Sequence, residues 1–251
     1  MEKPDFQVKD IATHDPMKLK TTDNVGEVLS EIREVEFTIL PTEDGYGEAV
    51  GYVRKEELEK ADESENIRGL QTEIKADNIL PPYVGFKKTL HSLYRNFFYF
   101  IGGKTGVDAI VTRSDLNTKP SRSYLFRRFL DFETSMEQYI NSIDEWENMI
   151  PGDIKKVNSR YEQAKEDDIQ LAKISYAQFG TKMNIITYDD NIPQVNEEIS
   201  DKIIKLKRDV SEGNPVIRNI SGRGEDRGIG ELMEMVDQLD EIQNKLDDKI
   251  N

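Results

Sequence analysis

The sequence predicts an α+β protein in which two strand-helix-strand-strand-helix repeats precede an all-α helical bundle. In the first half, short apolar runs bounded by turn residues alternate with amphipathic helical segments. This pattern occurs twice, as a weak internal repeat. After Pro120, apolar residues recur at spacings of three and four, which predicts helices packed as a bundle. The predicted domains are residues 1–68, 69–120 and 121–251.

Composition narrows the possible functions. The 251-residue chain carries 49 acidic and 34 basic side chains, with a net charge of −15. This charge argues against broad non-specific binding to nucleic acid or anionic lipid. The absence of cysteine excludes disulfides, thiolate metal sites and cysteine nucleophiles. No signal peptide and no apolar run of about 18 residues are found, so we expect a cytoplasmic protein that does not insert into membranes.

The first repeat contains three predicted strands and a helix. Met17–Lys20 alternates like a strand, and Thr22 or Asp23 can cap the helix that follows. Residues 37–41 and 49–53 are the next two strands. The apolar face of the helix consists of Val25, Val28, Leu29 and Ile32.

The second repeat follows the same order. Ile79 and Leu80 precede a helix, and residues 97–101 form an apolar, aromatic strand. Residues 107–111 are the final strand of the repeat. The apolar face of the helix consists of Phe86, Leu90, Leu93 and Tyr94.

The most informative stretch is residues 107–117. Its strand ends in Thr112, and Asp115 follows at the start of a turn or helix. The N–H groups at a helix N-terminus favour anions. Thr112 and these amides could therefore bind a phosphate. The Asp115 carboxylate could accept hydrogen bonds from both hydroxyls of a ribose. A polar strand end followed by an N-capping Asp is the alternative, and it is commoner for any single match of this kind.

Several neighbours complete the candidate ligand site. Arg113, Lys119 and Arg122 supply positive charge, and Ser114 adds a hydroxyl. Tyr99 and Leu80 are candidates for the wall of an adenine pocket, although an aromatic strand is more often simply core.

Residues 111–117, Val-Thr-Arg-Ser-Asp-Leu-Asn, resemble the end of a CBS domain, a small module that senses adenosyl ligands and occurs in pairs. The element order of the first repeat resembles the same family. The resemblance implies that Thr112 contacts phosphate and Asp115 contacts ribose. It also implies AMP, ADP, ATP or S-adenosylmethionine as the ligand. Asp108 departs from the family, which often has Gly there.

The first repeat has Arg54 and Glu57 where the second has Thr112 and Asp115. A longer carboxylate and a bulky cation would crowd a ribose, so we expect the first site to be degenerate. Arg54 and Lys55 either lend charge to a shared cleft or are simply solvated.

The second half contains four predicted amphipathic helices, the first of which is ended by Pro151-Gly152. Their apolar faces are Leu125, Phe129, Phe132, Met136, Ile140 and Ile143; Tyr176, Phe179, Met183 and Ile186; Ile199, Ile203, Leu206 and Val210; and Leu232, Val236, Leu239, Ile242, Leu246 and Ile250.

Three segments of this half resemble a HEPN-type bundle, a family with many ribonucleases and many inactive relatives. They are residues 125–133, Tyr176–Gly180 and Ile217–Asn219. In active members an Arg, usually followed by a polar residue, precedes a His, and the pair works at a dimer interface. Arg218-Asn219 matches the first part, but no His stands near Gly222 or Arg223. Because Arg cannot act as a general acid or base near neutrality, the resemblance implies an inactive copy.

These observations predict a regulatory sensor of adenosine nucleotides, with no catalytic residues, required cofactor or metal site. Ligand binding would shift the packing or dimer geometry of the helical half, with coupling through residues 122–128. A ribonuclease regulated by the CBS pair is one alternative. A ligand-independent dimerisation scaffold is the other. A homodimer is expected.

Overall fold

A computed structural model describes residues 6–32, 38–45, 48–103, 106–193, 195–218 and 227–250. The chain divides into two compact units, Met1–Leu116 and Asn117–Asn251. Strands and helices alternate in the first unit, and the described part of the second unit is helical. The protein is therefore a mixed α+β chain with a C-terminal helical region.

The described strands of the first unit are β1 (Thr13–His14), β2 (Leu19–Lys20), β3 (Ile39–Glu43), β4 (Ala49–Arg54), β5 (Thr72–Glu73), β6 (Ile79–Leu80), β7 (Phe98–Gly103) and β8 (Gly106–Thr112). Its described α-helices are α1 (Val25–Glu31), α2 (Lys55–Leu58), α3 (Ile67–Leu70) and α4 (Phe86–Arg95). A short 3-10 helix, Arg113–Asn117, follows β8.

The strands form two sheets, ordered β2-β3-β4-β5 and β1-β8-β7-β6. The β2–β3 and β6–β7 pairs are parallel, and the other neighbours are antiparallel. The order strand, strand, helix, strand, strand, short helix occurs twice along the unit. In each run the leading strand pairs with the last strand of the other run, since β1 pairs with β8 and β5 with β4. The two runs are therefore interlocked.

Central strands of both sheets contribute to one apolar cluster. It contains the buried residues Ile39, Tyr52, Phe98, Phe100 and Ile110. The Tyr52 and Phe98 rings meet edge to face at a centroid distance of 5.1 Å. Side chains alternate along a strand, so the neighbours Leu40 and Val53 belong to a separate cluster. That second cluster unites β2, β3 and β4 with α1, α2 and α3.

The β7–β8 hairpin is tight, and its geometry depends on Gly102. A Cβ at Gly102 would collide with the carbonyl oxygen of Gly106. The same hairpin sets the register in which Phe98 lies opposite Thr112 and Tyr99 opposite Val111.

The second unit contains α5 (Lys119–Ser142), α6 (Ile154–Glu166), α7 (Phe179–Thr187), α8 (Glu197–Glu212) and α9 (Ile229–Ile250). Helix α5 packs against α7, α8 and α9. Its buried face contains Leu125, Phe129, Phe132, Met136, Tyr139 and Ile140. Apart from Tyr139, which the sequence analysis did not predict, these residues belong to the predicted stripe of spacing three and four. Its last predicted member, Ile143, follows the end of the helix.

A buried ion-pair cluster joins α5 to α7. Lys182 is almost fully buried and donates to Glu133 Oε1 at 2.7 Å and to Glu137. Glu137 also accepts from the Ser175 hydroxyl at 2.6 Å. Removing Lys182 would leave two half-buried carboxylates without their counter-charge, which typically costs about 3–5 kcal/mol.

The structure differs from the sequence prediction at three places in this unit. Tyr176, predicted on the same helical face as Phe179, lies in a separate 3-10 helix, Lys173–Tyr176. Helix α5 ends at Ser142 rather than at Pro151-Gly152. Helix α6 lies in a stretch for which no helix was predicted. Its only buried residues are Val157 and Ala164, so it lacks the apolar stripe that marks a helix in sequence.

Candidate functional site

The candidate site lies where β8 ends and the 3-10 helix Arg113–Asn117 begins. Asp115 Oδ2 accepts from the Thr112 backbone N–H at 2.7 Å and from the Thr112 hydroxyl at 2.9 Å. The hydroxyl oxygens of Thr112 and Ser114 are 2.7 Å apart. The three residues are therefore brought together, and the carboxylate makes the capping bond that the alternative interpretation expects.

Asp115 is half-buried, and this burial raises the pKa of its carboxyl. The two bonds from Thr112 act in the opposite direction, because they stabilise the ionised form. A partly desolvated carboxylate gains more from additional hydroxyl donors than a solvated one does. The chemistry of this strand end therefore suits a ligand with neighbouring hydroxyls.

Arg113 points away from this pair and towards the end of α4. Its Nε donates to the Leu93 carbonyl oxygen at 2.8 Å, and one terminal nitrogen donates to the Tyr94 carbonyl oxygen at 3.1 Å. The guanidinium lies 4.1 Å from the centre of the Phe97 ring. Burial lowers the Arg113 pKa. These contacts place a cation at a helix C-terminus, where it stabilises the helix dipole.

Tyr99 and Leu80 are both buried. The Tyr99 hydroxyl accepts from the Asn96 side chain at 2.8 Å. Because Phe98 is the cross-strand partner of Thr112, Phe98 and Thr112 share one face of the sheet, and Tyr99 points to the other. The aromatic ring directly across from Thr112 is that of Phe98, which the sequence analysis did not predict as a site residue.

Arg54, which the sequence analysis names either as a source of charge for a shared cleft or as a solvated residue, lies near Phe98 on this face. Its guanidinium lies 5.9 Å from the centre of the Phe98 ring, and about 39% of its side chain is exposed. Glu56 lies 4.0 Å from the same guanidinium. The sequence signal for Arg54 was the internal repeat, since it ends β4 as Thr112 ends β8.

The end of β4 repeats the local geometry with different side chains. The Arg54 N–H donates to Glu57 Oε2 at 3.2 Å, and Glu57 is exposed. Lys55 Nζ lies 3.5 Å from the carbonyl oxygen of Ile32, at the end of α1.

The two remaining predicted cations belong to the second unit. Lys119 is exposed in the first turn of α5. Arg122 donates to the carbonyl oxygen of Gly213.

Arg218, the residue of the HEPN-like pattern, is also in the second unit. It pairs with Asp209 at 2.7 Å, and Arg227 pairs with the other oxygen of the same carboxylate at 2.8 Å. The Asp209 side chain is 1% exposed and the Arg218 side chain 36%. Asn219, Gly222 and Arg223 lie outside the described residues.

The described residues contain neither a cluster of metal ligands nor a helix able to span a membrane. No group of three or more His, Cys, Asp or Glu side chains there could hold a metal ion. No helix in the same part of the chain has the length and apolar character needed to cross a membrane.

Comparisons with known proteins give structural neighbours only. No protein-family model matches the chain, and no curated protein matches it. Solved CBS-domain structures resemble part of it. A hemolysin-like protein containing a CBS domain, from Oenococcus oeni, has a TM-score of 0.39 at 13% identity and covers 45% of this chain and 89% of its own.

Two further neighbours are similar. The CBS domains of a transcriptional regulator from Streptococcus pneumoniae have a TM-score of 0.38 at 14% identity, covering 44% of this chain and 96% of their own. The CBS domain of a bacterial CNNM/CorC family Mg²⁺ transporter, in complex with ATP, has a TM-score of 0.40 at 15% identity. The match covers 46% of this chain and 87% of the transporter domain. None of these three TM-scores exceeds 0.40, so nothing about a ligand for this chain follows from them.

Proposed function

We propose that the first unit is a pair of CBS modules that senses one adenosine nucleotide at the end of β8. The observation that carries the proposal is the Thr112–Asp115 pair, in which a half-buried carboxylate and two hydroxyls meet at the end of a buried strand. The interlocked double run of elements supports a paired module.

In the proposed complex, Asp115 accepts hydrogen bonds from the two ribose hydroxyls. Together these bonds to a charged acceptor are worth about 1.5–3 kcal/mol. The Thr112 and Ser114 hydroxyls adjoin the phosphate. Arg54 supplies the positive charge, because Arg113 is engaged with the end of α4. The ligand is AMP, ADP, ATP or S-adenosylmethionine.

The end of β4 is the degenerate site in this proposal. Glu57 is exposed and one methylene longer than Asp115, so it lacks the desolvation that favours hydroxyl donors. Arg54 occupies the position at which the other strand end presents a hydroxyl. One nucleotide per chain is the expected stoichiometry.

The helical unit is the responding module. Ligand binding favours whichever arrangement of the chain completes the site, and the helical unit transmits this population shift through its packing or through a homodimer. The ligand can shift the equilibrium between two arrangements only by as much as its affinities for them differ.

The test is isothermal titration of the full chain with AMP, ATP and S-adenosylmethionine. Asp115→Ala should weaken the preferred ligand by about tenfold to a hundredfold. Glu57→Ala is the matched control and should change the affinity little. Absence of binding by the parent, or equal binding by the parent and an Asp115→Ala variant of unchanged melting temperature, would overturn the proposal.

The proposed role is regulatory rather than catalytic. No His stands near Arg218 in the sequence, and the Arg218 guanidinium is paired with the buried carboxylate of Asp209. Single-stranded RNA should therefore not be cleaved above background in a time course. Cleavage by the parent that Arg218→Ala abolishes would restore the ribonuclease alternative.

A further inference from the structure

Asn117 closes the 3-10 helix that carries Asp115, and its side chain binds the backbone of a residue far along the chain. Asn117 Nδ2 donates to the Ile217 carbonyl oxygen at 2.9 Å. The Ile217 N–H donates in return to Asn117 Oδ1 at 2.9 Å. One side-chain amide thus satisfies both backbone groups of a residue that is 1% exposed, as a neighbouring β-strand would.

The backbone beside Ile217 is held on its other side by Arg227. The Arg218 N–H donates to the Arg227 carbonyl oxygen at 3.0 Å, and Arg227 reaches the Val216 carbonyl oxygen at 3.4 Å. The two arginines also share the buried carboxylate of Asp209. The segment Val216–Arg218 therefore lies between the Asn117 amide and a buried ion-pair cluster.

Asp115 and Asn117 are two residues apart in one five-residue 3-10 helix. Asp115 fixes the start of that helix through its bonds to Thr112, and Asn117 is the last residue of the helix. Because both side chains belong to the same short helix, a rotation of that helix that alters the bonds of Asp115 also displaces the Asn117 amide.

We propose that Asn117 is a positioning residue that relays the state of Asp115 to Val216–Arg218 and so to the Arg218–Asp209 ion pair. This relay rests on the proposed function, since it names the regulation of the same site. When a ribose binds the Asp115 carboxylate, the 3-10 helix rotates. The strength of the two hydrogen bonds between Asn117 and Ile217 then changes. The pairing of Arg218 then shifts with ligand occupancy.

Residue-resolved hydrogen exchange of the full chain without ligand tests the mechanical step. The Ile217 amide is the probe, because its acceptor is Asn117 Oδ1. Asn117→Ala should speed its exchange by about tenfold or more, and Asp115→Ala by at least about threefold. Glu57→Ala is the matched control, since Glu57 accepts from the backbone N–H at the end of β4 as Asp115 does at the end of β8. The residue that corresponds to Asn117 in that repeat is Glu59, which is exposed. It should leave the Ile217 amide unchanged. Equal exchange in Asp115→Ala and Glu57→Ala would overturn the relay, whether or not a nucleotide binds.

Titration with AMP gives the second arm. In the parent, AMP should change exchange at the Ile217 and Arg218 amides. Asn117→Ala should bind AMP within about threefold of the parent but lose that change. Loss of AMP binding in Asn117→Ala to the extent seen in Asp115→Ala would place Asn117 in the binding site and refute the relay. If the parent does not bind AMP, ATP or S-adenosylmethionine, the proposed function fails, and the ligand-free arm alone decides the mechanical coupling.

Discussion

The two strand ends of the first unit share a backbone design and differ in their side-chain chemistry. At the end of β8, Asp115 accepts from the Thr112 N–H, and at the end of β4, Glu57 accepts from the Arg54 N–H. The cation after each strand reaches a helix-end carbonyl: Arg113 that of Leu93, Lys55 that of Ile32. Leu116 and Leu58, the next apolar residues, are both fully buried.

What the two ends share is what the fold requires: a carboxylate cap, a cation at the preceding helix and a buried leucine. What they do not share is a candidate for function. Thr112 has a hydroxyl at the position where the end of β4 has the cation of Arg54. Asp115 is half-buried, whereas Glu57 is exposed. We therefore propose that Arg113 has a structural role and that the Thr112–Asp115 pair binds the ligand. Four substitutions test that division.

The largest effect is expected at Arg113. Arg113→Ala removes two bonds from a buried guanidinium and its contact with Phe97, so unfolding of the first unit should become easier by about 3 kcal/mol. Lys55→Ala, the equivalent change at the other end, should cost less than Arg113→Ala, because the bond from Lys55 Nζ to the Ile32 carbonyl oxygen is long and only part-buried. Denaturant-dependent hydrogen exchange of the β7 and β8 amides measures both. Equal, small losses would mean that Arg113 is available to a ligand after all.

The next effect concerns phosphate charge. Arg54→Ala should weaken AMP and ATP by about fivefold to tenfold and leave adenosine unaffected, because only the phosphorylated ligands use the cation. Lys55→Ala serves as the control of equal charge. Titration calorimetry with the three ligands distinguishes the outcomes, and an equal loss for adenosine would exclude Arg54 as a phosphate contact.

Thr112→Val should have a smaller effect on binding. It removes a neutral hydroxyl but keeps the backbone N–H that donates to Asp115, so the affinity for AMP should fall about threefold. The melting temperature should change little, since valine suits the end of a strand. A loss as large as that of Asp115→Ala would mean that the hydroxyl, rather than the carboxylate, dominates recognition.

The smallest effect is a pH dependence at Asp115. Its folded-state pKa is raised, so the folded protein binds the proton more tightly than the unfolded chain. This carboxyl therefore supports stability below its ordinary pKa, and the support is lost as pH rises from that value through the raised pKa.

Asp115→Asn should remove this dependence. The melting temperature of the variant relative to the parent should increase with pH across that window, while AMP affinity falls. A relative melting temperature of Asp115→Asn that falls with pH would indicate that the ionised carboxylate stabilises the fold.

Local features of this chain could be predicted from sequence. The Thr112–Asp115 geometry depends on a strand end and a fixed spacing, both of which are visible in residues 107–117. The stripe on α5 is equally local, and its period of three and four was read correctly.

Features that depend on tertiary contacts could not. Arg113 looks like a phosphate ligand until the carbonyl groups of Leu93 and Tyr94 are brought beside it. The sequence analysis did not predict Phe98, because the β7–β8 register, which decides which residues share a face with Thr112, has no signal in a single strand. The bond between Asn117 and Ile217 joins residues too distant in sequence for any pattern to relate them.

The proposal is that both strand ends have the same structural features and that only the end of β8 also binds a ligand. A structure of the full chain with bound AMP is its sharpest test. The account predicts one nucleotide per chain, with the ribose hydroxyl oxygens within about 3.2 Å of the Asp115 carboxylate and Arg113 still bound to the end of α4. A ribose held by Glu57, or a nucleotide that makes no contact with Asp115, would contradict it.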